Sequence, residues 1–134
     1  MNAIDRLIDA IGYPSGEVSP EKGAVTLRVD DGEMEVHEAD GRIVFSRKLG
    51  SFDDAGMARL AGYAAGRILK EDAVLAWDPV AGGLMLWQDA PSVSSGGALK
   101  RVFEVFSASC DWWLARASEE SAQEERVPEM MIRP

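Results

Sequence analysis

Residues 24–45 read AVTLRVDDGEMEVHEADGRIVF, and this stretch decides the fold. Apolar and polar side chains alternate along residues 25–29 and again along residues 33–36. Successive side chains of a strand point to opposite faces of a sheet, so this period predicts strands with one buried face. Asp-Gly pairs at positions 31–32 and 40–41 separate three such segments and are typical of hairpin turns. The stretch therefore predicts a three-stranded antiparallel meander with a partly solvated face.

An amphipathic helix is predicted before this meander. Its apolar residues recur at the spacing of one helix face: Ile4, Leu7, Ile8 and Ile11. Asn2 is a suitable N-cap, and Gly12 with Pro14 ends the helix. Residues 15–23 are predicted to form a loop.

A second helix is predicted from Asp53 and Asp54 to Lys70, and it is unusually rich in alanine and glycine. An interior glycine costs about 0.5–1 kcal/mol relative to alanine, so Gly62 and Gly66 indicate that another backbone approaches closely. Two interpretations stay open. The helix either packs closely on the sheet of its own chain or is buried between two copies of the chain.

Two short apolar segments, residues 73–77 and 84–88, predict a second hairpin. They lack the polar alternation of the first meander, so both faces of this hairpin need a cover. A last helix follows the loop of residues 92–97 and carries the largest apolar stripe in the chain. Val105 and Trp112 point away from that stripe and are candidates for contact with a partner.

These elements predict an α+β fold in the order α-β-β-β-α-β-β-α, with three helices and a twisted antiparallel sheet. Residues 1–117 are predicted to form the domain, and residues 118–134 an acidic, flexible tail. In that tail Glu119 and Glu120 are interpreted as a solvated face.

Composition excludes several functions. The chain has 134 residues, which is long enough for one hydrophobic core. It contains 23 Asp and Glu against 14 Lys and Arg, and its formal net charge of −9 argues against binding to a phosphate backbone. One cysteine and one histidine supply neither a disulfide nor a zinc site. No signal peptide and no apolar run of about 20 residues is present, so we expect a cytoplasmic protein that binds neither nucleic acid nor membrane.

Catalytic chemistry is not indicated either. Residues 94–100 lack the spacing of a phosphate-binding loop, and His37 lies in a strand, where we expect a solvated side chain. Cys110 lies on the apolar stripe of the last helix with no base nearby in sequence, which favours a buried hydrophobe over a reactive thiol. We therefore expect a binding protein with no enzyme activity, metal or cofactor.

The order and spacing of these elements resemble the class I type III secretion chaperones, small acidic bacterial proteins that hold effectors for export. The resemblance covers about residues 2–117 and is carried by particular segments. These are the opening helix, Leu27-Arg28-Val29-Asp30-Asp31-Gly32, Asp40-Gly41, Leu49-Gly50 before the second helix, Ala73 to Pro79, Gly82 to Leu86, and the closing helix through Trp112-Trp113.

The resemblance implies a bacterial homodimer that binds the N-terminal segment of an effector in extended form, with secretion-apparatus components as further partners. It implies dimer contacts chiefly through the second helix, at Met57, Ala58, Leu60, Ala61, Gly62, Ala64 and Ile68. It also implies a client groove formed by the first helix and the last hairpin, with strand addition at a sheet edge. The residues expected in that groove are Ile4, Ile8, Ile11, Val74, Ala76, Leu86 and Gln88.

Two other functions stay open. An immunity protein that neutralises a basic toxin would also be small and acidic, because opposite charge steers such pairs together. An enzyme or small-ligand carrier could use the region of Trp77 and Trp87 as an aromatic pocket, although no polar constellation accompanies it.

Overall fold

The computed structural model describes residues 2–13, 19–21, 23–29, 32–80 and 82–132. Within these ranges the chain forms three helices and six strands. In chain order they are α1 (Ala3–Ile11), β1 (Ser19–Glu21), β2 (Ala24–Val29), β3 (Gly32–Ala39), β4 (Arg42–Gly50), α2 (Asp54–Arg67), β5 (Val74–Asp78), β6 (Gly83–Pro91) and α3 (Gly96–Ile132). The strands form one sheet in the order β1-β2-β3-β4-β6-β5, so the predicted α+β element order is confirmed, with one strand added.

The added strand is β1, which lies where the sequence predicts a loop. Ser19 is paired with Thr26 and Glu21 with Ala24, antiparallel to β2. Three residues with a central proline carry no alternating pattern, and pairing with β2 holds them extended. The predicted Asp30-Asp31 turn lies outside the described residues, whereas Val29 and Gly32 are register partners at its two ends.

Local sequence signals set the starts of the first two helices. The Oδ1 of Asn2 accepts a hydrogen bond from the backbone N–H of Asp5 at 2.8 Å, and Gly12 ends α1 at a positive φ of 70°. Asp53 caps α2 in the same way, with Oδ1 2.7 Å from the N–H of Gly56. Both helix starts agree with the sequence prediction, but α2 ends at Arg67 rather than Lys70.

The described chain divides into two compact units, each with its own core. Unit 1 comprises residues 1–47 and 87–108, and unit 2 comprises residues 48–86 and 109–134. In unit 1 the ring of Phe45 on β4 lies 6.1 Å from that of Phe106 on α3. The interior of unit 2 contains Trp113 and Cys110, which confirms the expected burial of the cysteine.

Gly32 has a packing role that the turn interpretation did not predict. It opens β3, and a Cβ built there would lie 2.8 Å from Cζ of Arg47, whose side chain is buried. A side chain at this position would push the flexible end of the Arg47 side chain aside, so Gly32 leaves room for the guanidinium and does not serve a positive φ.

Helix α3 continues through Ile132, past Ser118, where the sequence predicts the end of the domain. Glu120 is 2% exposed, and its Oε2 lies 2.6 Å from Nε of Arg59 on α2. The interpretation of Glu120 as part of a solvated face is therefore wrong, because the carboxylate is buried against a cation from a distant part of unit 2.

Candidate partner-binding surfaces

Helix α2 in unit 2 exposes most of its length. Of its 14 residues only Gly56 and Leu60 are buried, whereas Ala58, Ala61 and Gly62 are exposed. A Cβ added at Gly62 or at Gly66 would meet no atom of the described chain within 4 Å. The two glycines therefore do not serve close packing against the described residues, and the interpretation that α2 is buried between two copies stays open.

The residues predicted to form a dimer interface differ in their exposure to solvent. Ala58, Ala61, Gly62 and Ile68 are exposed, and Met57 and Ala64 are half-buried. Leu60 is fully buried in unit 2 and is not available to a second copy. It faces inward because it lies on the side of α2 opposite Gly62, about 200° away at 100° per residue.

Large apolar side chains surround the end of α2 and continue along β5. Ile68 and Leu69 are 73% and 96% exposed, and Val74 and Trp77 on β5 are 46% and 52% exposed. Tyr63 and Val80 are also exposed. We call these six residues the α2–β5 surface. Ile68 and Val74 line one cavity and therefore lie together, whereas Trp77 lies on the other face of β5 because it is three positions from Val74. Exposed apolar surface is typical of a binding site.

The sequence predicts a second hairpin with apolar residues on both faces, and the structure leaves these residues uncovered mainly in β5. Along β6 buried and half-buried residues alternate, so that strand has one well-covered face. In β5 no residue is buried, and β5 is an end strand of the sheet. The uncovered apolar surface of the hairpin therefore lies in β5.

A cavity of about 240 Å³ opens next to this surface. Nine residues of unit 2 line it: Ala64, Ala65, Arg67, Ile68, Glu71, Ala73, Val74, Leu75 and Trp113. Its wall is mostly aliphatic, with Arg67 and Glu71 as the charged members. Neither Trp77 nor Trp87 lines the cavity, so it is not the aromatic pocket expected for a small-ligand carrier.

The carboxylate of Glu71 holds one wall of this cavity together. Its Oε1 accepts a hydrogen bond from the indole Nε1 of Trp113 at 2.9 Å. Its Oε2 accepts bonds from Nη2 of Arg67 at 3.0 Å and from Oγ of Ser109 at 3.1 Å. Burial alone would raise the pKa of Glu71, but the three hydrogen bonds outweigh it and hold the pKa below its ordinary value. Glu71 is therefore anionic at neutral pH.

Trp112 joins this network from α3. The guanidinium carbon of Arg67 lies 3.9 Å from the ring centroid of Trp112, and that of Arg116 lies 4.9 Å away. The ring of Tyr63 meets that of Trp112 edge-on at 5.7 Å. The sequence predicts a partner contact for Trp112, but these stacked neighbours from unit 2 show that it contacts its own chain. Val105 remains exposed.

In unit 1 helix α1 offers a smaller apolar surface. Ile8 and Ile11 are half-buried, whereas Ile4 is 5% exposed and belongs to the core. Arg6 fixes the helix to the loop before α3, because its guanidinium donates hydrogen bonds to the carbonyl oxygens of Ser92 and Ser94.

The residues expected in a client groove are therefore not equally accessible. Ile8 and Ile11 in unit 1, and Ala76 in unit 2, are half-buried, and Val74 in unit 2 is exposed. Ile4, Leu86 and Gln88 are buried, so a client cannot reach them in this conformation. Leu86 and Gln88 both lie on the buried face of β6, which the apolar run from Leu84 to Trp87 did not reveal.

Among the described residues no cluster of three or more His, Cys, Asp or Glu could hold a metal ion. No helix in the described ranges is long and apolar enough to cross a membrane.

His37, expected to be solvated, is half-buried on β3 beside Ala24 and Val44 of the neighbouring strands.

Comparison with solved structures identifies the fold of this antiparallel sheet with three helices. The chaperone–effector complex of SchA and HopA1 matches with a TM-score of 0.64 and 20% identity, over 84% of this chain and 94% of that chain. The type III secretion chaperone SycH of Yersinia pestis, solved with a fragment of YscM2, matches at 0.62 and 14% identity, over 84% and 95%. The chain has the fold of the type III secretion chaperones.

The same fold occurs in a protein with another assignment. YbjN of E. coli, whose proposed role is in transcription regulation, matches with a TM-score of 0.58 and 14% identity, over 90% of both chains. No protein-family model and no curated protein matches the sequence. At these identities the likeness concerns the fold, and the function has to be argued from the surfaces.

Proposed function

We propose that this protein is a type III secretion chaperone that binds the N-terminal segment of an effector in extended form and keeps it competent for secretion. The observation that carries the proposal is the shared fold with chaperones solved in complex with effectors, over more than four fifths of the chain. The exposed apolar surfaces support it, because a holder of extended chain needs apolar docking sites without catalytic groups.

The client contacts that we propose are the accessible members of the predicted groove. In unit 1 these are Ile8 and Ile11 on α1, and in unit 2 they are Val74 and Ala76 on β5. The end strands β1 and β5 differ as sites for strand addition. Strand β1 has three residues including Pro20, whereas β5 has five residues and no proline. Because proline lacks the N–H that a sheet edge uses, we propose β5 as the edge that pairs with an added strand.

We also propose that the protein is a homodimer through the outer face of α2, at Ala58, Ala61, Gly62 and Ile68. The exposure of this face supports the proposal, because its four uncharged residues add no local repulsion between two copies that each carry a net charge of −9. Light scattering of the purified protein at several concentrations measures the mass directly, and a monomer throughout would refute the dimer.

The experiment for the client is capture of the protein with its partner from the native bacterium, followed by limited proteolysis of the complex. A protected N-terminal stretch of an effector is the expected result. A folded basic toxin as the captured partner would instead support the immunity function.

A point variant tests the site on α1. Ile11→Asp adds a charge to a half-buried apolar position, so client binding should fall while circular dichroism stays native. Val93→Asp is the matched control, because it adds the same charge in unit 1 at a side chain that is 90% exposed. Equal client binding by both variants would count against the α1 site.

A further inference from the structure

The sheet of unit 1 has two faces, and α1 covers only one of them. Helix α1 packs against β3, whose residues Met34 and Val36 are fully buried. Glu33 and Glu35 of the same strand are exposed. Because successive residues of a strand point to opposite faces, the two glutamates lie on the face that points away from α1. We call this face the outer sheet face.

Trp87 of β6 lies on the outer sheet face as well, because its neighbours along the strand belong to the buried face. Ser46 of β4 is the register partner of Glu35. The N–H of Ser92, just after β6, donates a hydrogen bond to the carbonyl oxygen of Gly41, just before β4, at 2.9 Å. Counting five positions inward along each of these antiparallel neighbours places Trp87 opposite Ser46. Glu35, Ser46 and Trp87 therefore form one row across three strands.

This row has a small residue between two long side chains. Neighbouring strands lie about 4.8 Å apart, so the Cα atoms of Glu35 and Trp87 are about 10 Å apart with Ser46 between them. Ser46 is 6% exposed, whereas Trp87 is half-buried and Glu35 is exposed. A guanidinium group above the serine can stack on the indole ring and donate hydrogen bonds to the carboxylate at the same time. The row therefore has the chemistry of a site for a planar cation.

The described part of the chain does not supply that cation itself. Arg42, on the same face, is paired with Asp89 at 3.0 Å. Arg28 of β2 is the register partner of a different glutamate of β3. Among the described residues Glu35 has no ion pair and the ring of Trp87 has no cation above it. A cation from another molecule therefore finds both groups available.

We propose that Glu35, Ser46 and Trp87 form a docking site for an arginine side chain of a basic partner protein. The net charge of −9 favours the approach of such a partner. Arginine fits better than lysine, because its planar guanidinium stacks on an aromatic face and carries several donors in a fixed geometry. The site lies on the face opposite α1, so it leaves the proposed client contacts of α1 free. It therefore goes beyond the chaperone function and does not depend on it.

Titration of the full chain with N-acetyl-arginine amide at constant ionic strength tests the site. NMR follows the indole N–H signal of Trp87, which is assigned by its absence from Trp87→Phe. The arginine probe should shift this signal with millimolar affinity. N-acetyl-lysine amide should bind about twofold more weakly or worse, and the neutral N-acetyl-citrulline amide should leave the signal in place. No shift with the arginine probe at tens of millimolar, or an equal shift with the citrulline probe, would overturn the proposal.

Variants separate this site from the general attraction of an acidic protein for cations. Glu35→Gln removes the charge and keeps the size of the side chain, so affinity for the arginine probe should fall about threefold or more. Glu33→Gln is the matched control, because Glu33 is exposed on the same strand and the same face, and it should leave the affinity unchanged. If both variants weaken binding equally, the probe follows the net charge and the site is refuted.

The variant Ile11→Asp tests whether the site is independent of α1. It alters the proposed client contacts on the other side of the sheet, so it should bind the arginine probe at least as well as wild type. A loss of probe binding in this variant would refute a separate site on the outer sheet face. Circular dichroism checks that every variant is folded.

Discussion

Replacing Glu71 with alanine should destabilise the protein more than any other single loss of an acidic side chain in the described part of unit 2. Glu71 is 8% exposed at its side chain and accepts hydrogen bonds from Arg67, Ser109 and Trp113. Without the carboxylate, the indole N–H of the fully buried Trp113 has no acceptor from this side chain, at a cost of about 1–3 kcal/mol.

The other two donors add less to this cost. The side chain of Arg67 is 30% exposed and can be hydrated, so the lost ion pair contributes about 0–1 kcal/mol. The hydroxyl of Ser109 can turn to a carbonyl of its own helix at little cost. The free energy of unfolding should therefore fall by about 1–4 kcal/mol, most of it from the indole.

Urea unfolding at one fixed protein concentration measures this loss, because a dimer would otherwise make the midpoint depend on concentration. Glu119→Ala is the matched control. Glu119 is 54% exposed at its side chain and pairs across the helix surface with Arg116, so its loss should cost about 0.5 kcal/mol or less. If the two variants unfold within about 0.5 kcal/mol of each other, the Glu71 network does not hold unit 2 together.

Three further changes test buried charged groups, two in unit 2 and one in unit 1. The hydrogen bonds that lower the pKa of Glu71 stabilise the folded state at pH values above the ordinary carboxyl pKa of about 4.3. This stabilisation is lost as the pH falls through the lower pKa of Glu71 in the folded state. Acid should therefore narrow the difference in unfolding free energy between wild type and Glu71→Gln, as measured by urea titration. Gly32→Ala pushes the flexible end of the buried Arg47 side chain aside and should lower the unfolding free energy by about 1 kcal/mol, the order of one lost hydrogen bond. An unchanged urea midpoint would contradict that packing. Glu120→Ala should lower the unfolding free energy by about 1–2 kcal/mol, a moderate loss because the side chain of Arg59 is 43% exposed and water can hydrate it once the carboxylate is gone. A thermal midpoint equal to that of wild type would show that the ion pair contributes nothing.

The strands of the first meander could be predicted because one face of that sheet is wet. Val36 is buried and Glu35 is exposed, so the buried face leaves a period of two in the sequence. Strand β6 has no such contrast, since apolar residues occupy both of its faces. Which face is outward then depends on what packs there, and for this reason the sequence predicts Leu86 and Gln88 in a client groove although both are buried.

The polar contacts of unit 2 could not be predicted for a different reason. Arg59 and Glu120 are separated by 61 positions, and Glu71 and Trp113 by 42. A run of acidic residues is usually a solvated face, and nothing in the sequence near Glu120 distinguishes it from Glu119. Only the packing of α3 in unit 2 places one carboxylate inside and leaves the other in water.

Helix α2 is held to its own unit by one fully buried leucine, by the contact of Tyr63 with Trp112 and by two ion pairs. Leu60 is its one fully buried large side chain, and Arg59 and Arg67 anchor it through Glu120 and Glu71. A partly exposed ion pair contributes little on its own, so burial of the outer face of α2 in the proposed dimer would add to the stability of this helix. Association through α2 would therefore stabilise the helix as well as join the copies, and the thermal midpoint of the wild-type protein should rise with protein concentration. A midpoint that stays constant over a roughly hundredfold range of concentration would mean that α2 is stable without a second copy.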